Sequence, residues 1–236
     1  MSTLVLIPGL ACDARMWREV LPGLQGGLPA GGCTVSQVHS QFASIETMAA
    51  GLLDRHPGPL VLCGASMGGI IAMEAARQAP ERIAGLALLG TNARPETEDM
   101  RRLRSGAIAF FEAGRALEVL QLNLPMAFHP VHAGHAGLTQ TYLDMVMAAG
   151  SAQLVAQNRA IMARPDARLH LPQRRCPTLV LCGESDQLTP PECSREIAAL
   201  VPHAQFHLVE KAGHMLTLEQ PEAVAGFLLE FLKKLA

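Results

Sequence analysis

The chain is poor in most of the features that would tie it to nucleic acid, to a membrane or to an oxidising compartment. Only 17% of its 236 residues are charged, the formal net charge is −2, and no run of basic residues or basic patch interleaved with aromatics occurs. Nucleic acid is therefore not an expected partner. No uninterrupted apolar run reaches membrane-spanning length, so no membrane association is expected. The opening Met1-Ser2-Thr3-Leu4-Val5-Leu6-Ile7-Pro8 has no basic stretch ahead of a long apolar one, and no secretory leader is expected from it. The six cysteines (Cys12, Cys33, Cys63, Cys176, Cys182 and Cys193) include no Cys-x-x-Cys pair, and Cys63 and Cys182 lie in apolar runs where a thiol behaves as a small hydrophobe. Reduced cysteines and a cytoplasmic location are the expectation, not a disulfide framework. No internal repeat is evident. What the chain does have is apolar mass, 49% of its residues, enough for one large core in a single domain with room for an inserted subdomain.

The most informative stretch runs from Pro59 to Glu74. Leu60 to Cys63 reads as a buried strand; Gly64, Ser66, Gly68 and Gly69 follow; Ile70 to Ala79 has helical apolar spacing and stops at Pro80. Strand, Gly-x-Ser-x-Gly, helix is the pattern of a turn that carries a nucleophilic serine. The residue types fit the chemistry, since a turn this tight excludes side chains two positions either side of the serine. The helix it opens aims unpaired backbone N–H groups at the hydroxyl, so an oxyanion formed there would meet the N–H of Met67. The bland alternatives are a Gly-rich turn that merely packs closely, or one that binds phosphate. Ala65-Ser66 breaks the dinucleotide pattern Gly-x-Gly-x-x-Gly, and no lysine completes a P-loop.

Elsewhere strands alternate with helices. Strands are predicted at Thr3–Ile7, Thr34–Val38, Ile83–Leu89, Thr178–Cys182 and Ala204–Val209, and helices at Ile45–Arg55 (capped by Ser44), Pro191–Leu200 and Pro221–Lys234. A short helix through Trp17 is expected to pack onto the sheet. This alternation implies a parallel sheet with helices on both faces. Residues 94–171 differ: they lack strand-like runs, are rich in methionine, and read as helices over 97–111, 113–122, 138–149 and 152–163. They are expected to form a helical lid inserted into a core made of residues 1–93 and 172–236. Core filling explains their methionines more simply than a dedicated apolar ligand surface does.

Ser66 follows one strand, Asp186 in Gly-Glu-Ser-Asp-Gln-Leu-Thr-Pro follows a later one, and His214 in Gly-His follows the last. In an open parallel sheet these loops share one edge. In this order and placement the chain resembles the α/β-hydrolase superfamily over nearly its whole length. The resemblance implies an α/β-hydrolase fold, a mostly parallel sheet of about six strands with helices on both faces and an inserted lid. It also implies a catalytic triad of Ser66, His214 and Asp186, and no cofactor or metal. Alone, Asp186 reads slightly better as a turn residue bonding its own backbone; Glu184 is the alternative acid. The resemblance further implies that the second oxyanion donor, beside Met67, is the N–H of Leu10 after Pro8-Gly9. Two departures stand out. Pro8-Gly9 replaces the His-Gly common among relatives, and Val38-His39-Ser40-Gln41-Phe42 replaces an Asp-x-x-Gly-x-Gly-x-Ser loop, which shortens that wall.

His129, His132 and His135 make a His-x-x-His-x-x-His run, but Pro130 and Gly134 interrupt any single helical face and no Cys or carboxylate nearby completes a metal site. Arg94, Arg101, Arg102, Arg104 and Arg159 read as solvated surface. The function expected is a serine hydrolase acting on an ester or thioester of a small, largely apolar acyl compound. The alternatives are a carbon–carbon bond hydrolase, a lyase or a haloperoxidase-type enzyme on the same fold, and a ligand-binding receptor with slow turnover.

Overall fold

A computed structural model describes residues 1–235. Six strands, β1 (Thr3–Ile7), β2 (Cys33–Val35), β3 (Leu60–Ala65), β4 (Ile83–Leu89), β5 (Thr178–Gly183) and β6 (Gln205–Val209), form one sheet in the order β2-β1-β3-β4-β5-β6. Every pairing is parallel. Among the described residues the α-helices are eight: α1 (Ile45–Arg55), α2 (Met67–Gln78), α3 (Glu98–Glu112), α4 (Ala116–Ala127), α5 (Ala136–Met162), α6 (Pro191–Leu200), α7 (Leu216–Glu219) and α8 (Pro221–Lys233).

β1, β3, β4 and β5 are continuous apolar runs because they bury both faces, whereas the edge strands β2 and β6 stay largely half-buried. Leu4 and Leu6 of β1, Val61 and Cys63 of β3, and Leu179 and Leu181 of β5 join one cluster, which includes Trp17 and the apolar side of α8. Their neighbours Val5, Ile7, Leu60, Leu62 and Val180 join the other, with α1, α2 and Ile197 of α6. The period of two is thus written as two separate cores, one on each side of the sheet.

The chain reverses its direction of travel across the sheet between β1 and β3: β2 lies to one side of β1 and every later strand to the other. Beyond the carboxyl ends of strands at such a switch point lies the natural crevice of an open parallel sheet. The loops after β1 and β3 both open there.

Helix α1 begins where Ser44 and Thr47 form a reciprocal capping box. β2 is shorter than expected, since Val38–Ser40 turns into a 3-10 helix that His39 uses to reach the loop after β1. The chain between β4 and β5 runs through α3, α4 and α5. The fourth and third of the expected helices appear as one element, α5, broken at Gly150 with φ 75° and ψ 163°. α4 starts later than expected because Gly114, at φ 74°, first ends α3.

Candidate active site

Ser66 stands between β3 and α2 with φ 51° and ψ −115°. Held backbone strain of this kind costs on the order of 1–3 kcal/mol and persists only where neighbours fix it. Here the Ser66 N–H donates to the Leu89 carbonyl at 2.8 Å, and the Thr91 hydroxyl donates to the Ser66 carbonyl at 2.7 Å. The flanking glycines are required by space. A Cβ on Gly64 would stand 2.2 Å from the Gly68 carbonyl oxygen, and one on Gly68 would stand 2.0 Å from that of Ile7.

His214 joins the other two expected residues. Its Nε2 is 3.0 Å from the Ser66 Oγ, and its Nδ1 is 2.9 Å from Asp186 Oδ2 and 3.1 Å from Oδ1. A carboxylate beside Nδ1 keeps the hydrogen on that nitrogen, which leaves Nε2 free to accept from the serine hydroxyl.

Asp186 is also the turn residue that its local sequence suggests. Oδ1 accepts the N–H groups of Leu188 and Thr189, both at 2.9 Å, and Oδ2 accepts the Thr189 hydroxyl at 2.9 Å. Burial works to raise its pKa, but the charge and hydrogen bond of His214, with these donors, hold it below the usual carboxylate range. Burial likewise opposes the charged form of His214, and Asp186, with a smaller contribution from Glu219, raises that imidazole above its usual value. Glu184 is turned elsewhere: its carboxylate accepts the Lys211 N–H at 2.8 Å and lies 3.6 Å from His129 Nε2.

The loop after β1 passes directly against the serine turn, where a Cβ on Gly9 would be 3.3 Å from the Ser66 Cβ. Leu10 follows it. Met67 is the first residue of α2, whose N–H helix geometry leaves without an intrahelical acceptor. Two side chains whose part here sequence reasoning missed hold this loop. Gln157 of α5 accepts the Ala11 N–H at 2.8 Å and donates to the His39 carbonyl at 2.9 Å, while His39 Nε2 donates to the Cys12 carbonyl at 2.8 Å. His39 therefore has a structural use in the segment that replaces the usual loop. A cavity of about 260 Å³ lies behind it, walled by Ala11, Cys12, Ser36, His39, Met145 and Gln153 among others.

Glu219 is the other residue missed. It is 5% exposed and accepts the Gly213 N–H at 2.8 Å and the His129 N–H at 2.7 Å. The only hint in the sequence is a lone carboxylate in the apolar run Met215-Leu-Thr-Leu-Glu just past His214.

The three histidines of the His-x-x-His-x-x-His run go separate ways. His129 faces Glu184, His132 Nε2 is 3.4 Å from the Gln220 amide nitrogen, and His135 caps α5 by accepting the Leu138 N–H at 3.3 Å. Arg94, Arg102, Arg104 and Arg159 are each paired with a carboxylate.

A six-stranded parallel sheet with its chemistry-bearing loops after β1, β3, β5 and β6 defines an α/β hydrolase. The fold agrees with that of the malate-bound thermophilic esterase from Thermogutta terrifontis, with a TM-score of 0.88 and 29% identity over 100% of this chain and 90% of that one. The chain belongs to the Serine aminopeptidase, S33 family, which it matches over residues 25–221. It is 27% identical over 251 residues to a pimeloyl-[acyl-carrier protein] methyl ester esterase of Photobacterium profundum, covering 98% of this chain and 95% of that one. It is also 27% identical over 245 residues to the biotin biosynthesis bifunctional protein BioHC of Cellvibrio japonicus. That match takes in 99% of this chain but spans only 48% of the relative's length. The protein is a hydrolase with esterases among its relatives. Among the described residues no helix is long and apolar enough to cross a membrane.

Proposed function

We propose that the protein cleaves an ester or thioester of a small, largely apolar acyl compound through Ser66, His214 and Asp186. The observation that carries this reading is the imidazole of His214, within hydrogen-bond reach of Ser66 Oγ on one side and Asp186 on the other. His214 takes the hydroxyl proton through Nε2 as Oγ bonds to the acyl carbon. The resulting oxyanion is met by the N–H groups of Leu10 and Met67; one such donor is worth roughly 10²–10³ in rate. The imidazolium then returns the proton to the departing alkoxide or thiolate, and the acyl–oxygen or acyl–sulfur bond breaks. Water, deprotonated by the same nitrogen, attacks the acyl-enzyme and restores Ser66. Asp186 keeps the imidazole in the working tautomer and balances its transient charge. Two of the relatives above are esterases by name, which supports an ester as substrate.

In the same reading residues 94–171 act as a lid on a core of residues 1–93 and 172–236. Its support is a shared apolar cluster: Phe128, Tyr142 and Met145 belong to the same buried cluster as Met215 and Leu216, the residues that follow His214. The six cysteines are all unpaired, which fits a reducing compartment, the cytoplasm.

The test is turnover of short p-nitrophenyl esters beside a dienone-type ketone. Wild type should release a burst of p-nitrophenol that Ser66→Ala lacks. Equal ester activity in the two proteins overturns the reading, and preference for the ketone replaces it with carbon–carbon bond hydrolysis.

A further inference from the structure

The loop that carries His214 is fastened to a piece of chain far away in sequence. Gly213, immediately before the histidine, packs so closely on the segment after α4 that a Cβ there would stand 2.6 Å from the His129 nitrogen and 2.7 Å from the Phe128 carbonyl carbon. Immediately after the histidine, the Met215 N–H donates to the Ala127 carbonyl at 3.1 Å. Between these two contacts lies one carboxylate. Glu219, at the end of α7, accepts the Gly213 N–H on Oε1 and the His129 N–H on Oε2. Both oxygens are thus committed to backbone donors, one just before the imidazole and one on the segment facing it.

Two alternatives to a carboxylate of this length are excluded by the geometry. A neutral amide has one acceptor oxygen and would set its NH₂ against one of the two N–H groups. A shorter side chain would not reach both. The residue is also an expensive choice for packing alone, since burial pushes its pKa up to about 7 against backbone donors that lower it. The ionisable groups packed around it are His214 from its own segment and His129 from the segment after α4, whose ring faces Glu184.

We propose that Glu219 is a positioning residue for His214: by accepting the amide hydrogens of Gly213 and His129 together, it fixes the imidazole-bearing loop against the chain that follows α4. This rests on His214 being the base of the proposed triad. The carboxylate touches neither substrate nor reacting atoms. It acts through the backbone on which His214 hangs, and its charge also favours the imidazolium. The same contact makes the placement of the imidazole depend on the segment leading out of α4, so a movement of that segment is felt at the base.

The experiment compares wild type, Ser66→Ala, Glu219→Gln and Glu219→Asp in the p-nitrophenyl ester burst assay. In both Glu219 variants acylation is expected to slow by about 10²-fold, the scale of a base displaced by roughly 1 Å, with burst amplitude and KM retained. The acid limb of the kcat/KM profile should move to lower pH in Glu219→Gln, which has lost the charge that supports the imidazolium, and stay in place in Glu219→Asp, which keeps it. A wild-type burst that Ser66→Ala abolishes shows the underlying reading to be sound; unchanged acylation in both Glu219 variants then sinks this proposal alone. A loss that follows burst amplitude, with no movement of the limb, marks a purely structural residue and also overturns it. Should Glu219→Gln not fold, wild type supplies the measurement: the Nδ1 proton resonance of His214 is expected to shift in two steps with pH, one of them the titration of Glu219. A single step refutes the proposal.

Discussion

Asp186 and Glu219 are two carboxylates buried to almost the same extent, 3% and 5% exposed, and both serve the loop of His214. Their pKa values move in opposite directions, Asp186 down and Glu219 up. Asp186 faces a group that can itself become charged, and burial is outweighed by the imidazole, a hydroxyl and two N–H groups. Glu219 has only backbone amides at hydrogen-bond distance from its carboxylate, and these, even with the more distant charge of His214, do not offset what burial costs its charge. The difference teaches that burial alone does not set a carboxyl's state. What matters is whether a partner gains from the charge, and a group that balances a cation can be told on this ground from one that anchors a loop.

The sharpest test of that division is Asp186→Asn. Its amide cannot hold Nδ1–H and balance an imidazolium, and a fall in kcat of about 10⁴ is expected, the scale known for the wrong tautomer in such triads. Ester turnover measures it. If the loss were no larger than that of Glu219→Gln, the two carboxylates would share one role and the contrast would fail.

The contrast also reaches stability. The folded pKa of Asp186 lies below its ordinary value, so its contribution is present above that value and is lost as pH falls through the folded one. The folded pKa of Glu219, about 7, lies above its ordinary 4.5. Its contribution is complete below 4.5 and disappears as pH rises towards 7. Relative to Glu219→Gln, which does not titrate, wild type should therefore lose about 3 kcal/mol between about pH 4 and pH 8 in urea unfolding. A difference that stays flat across that window would mean that Glu219 is solvated in the folded protein.

The asymmetry between the two carboxylates is also an asymmetry in what a sequence reveals. β3, β4 and α1 are legible because their signals are local: apolar runs buried on both faces, and a capping box at Ser44. Ser66, Asp186 and His214 are legible because each follows a strand and parallel strands deliver their loops to one edge. Asp186 even bonds its own turn, as its neighbours suggest. Glu219 and Gln157 are not, because what they do depends on partners 90 and 146 residues away: His129 and Ala11. No periodicity encodes such a meeting. From the sequence His39 is only part of a shortened wall, yet it holds the Cys12 carbonyl, since a 3-10 turn replaces the end of the expected strand.

Glu184 offers the smallest expected effect and completes the comparison. It is two residues from Asp186 and is the other acid that the sequence allows, but its carboxylate points to Lys211 and His129 and is 40% exposed. A contact this long to a carboxylate this exposed is worth little, about 0–1 kcal/mol at most. Gln in its place keeps an acceptor for the Lys211 N–H, so Glu184→Gln should leave ester turnover and its pH profile where they are in wild type. Because His129 lies between Glu184 and the Glu219 anchor, this variant also asks whether charge travels along that chain of contacts. A displaced acid limb in Glu184→Gln would mean that it does, and that three carboxylates rather than two set the state of His214.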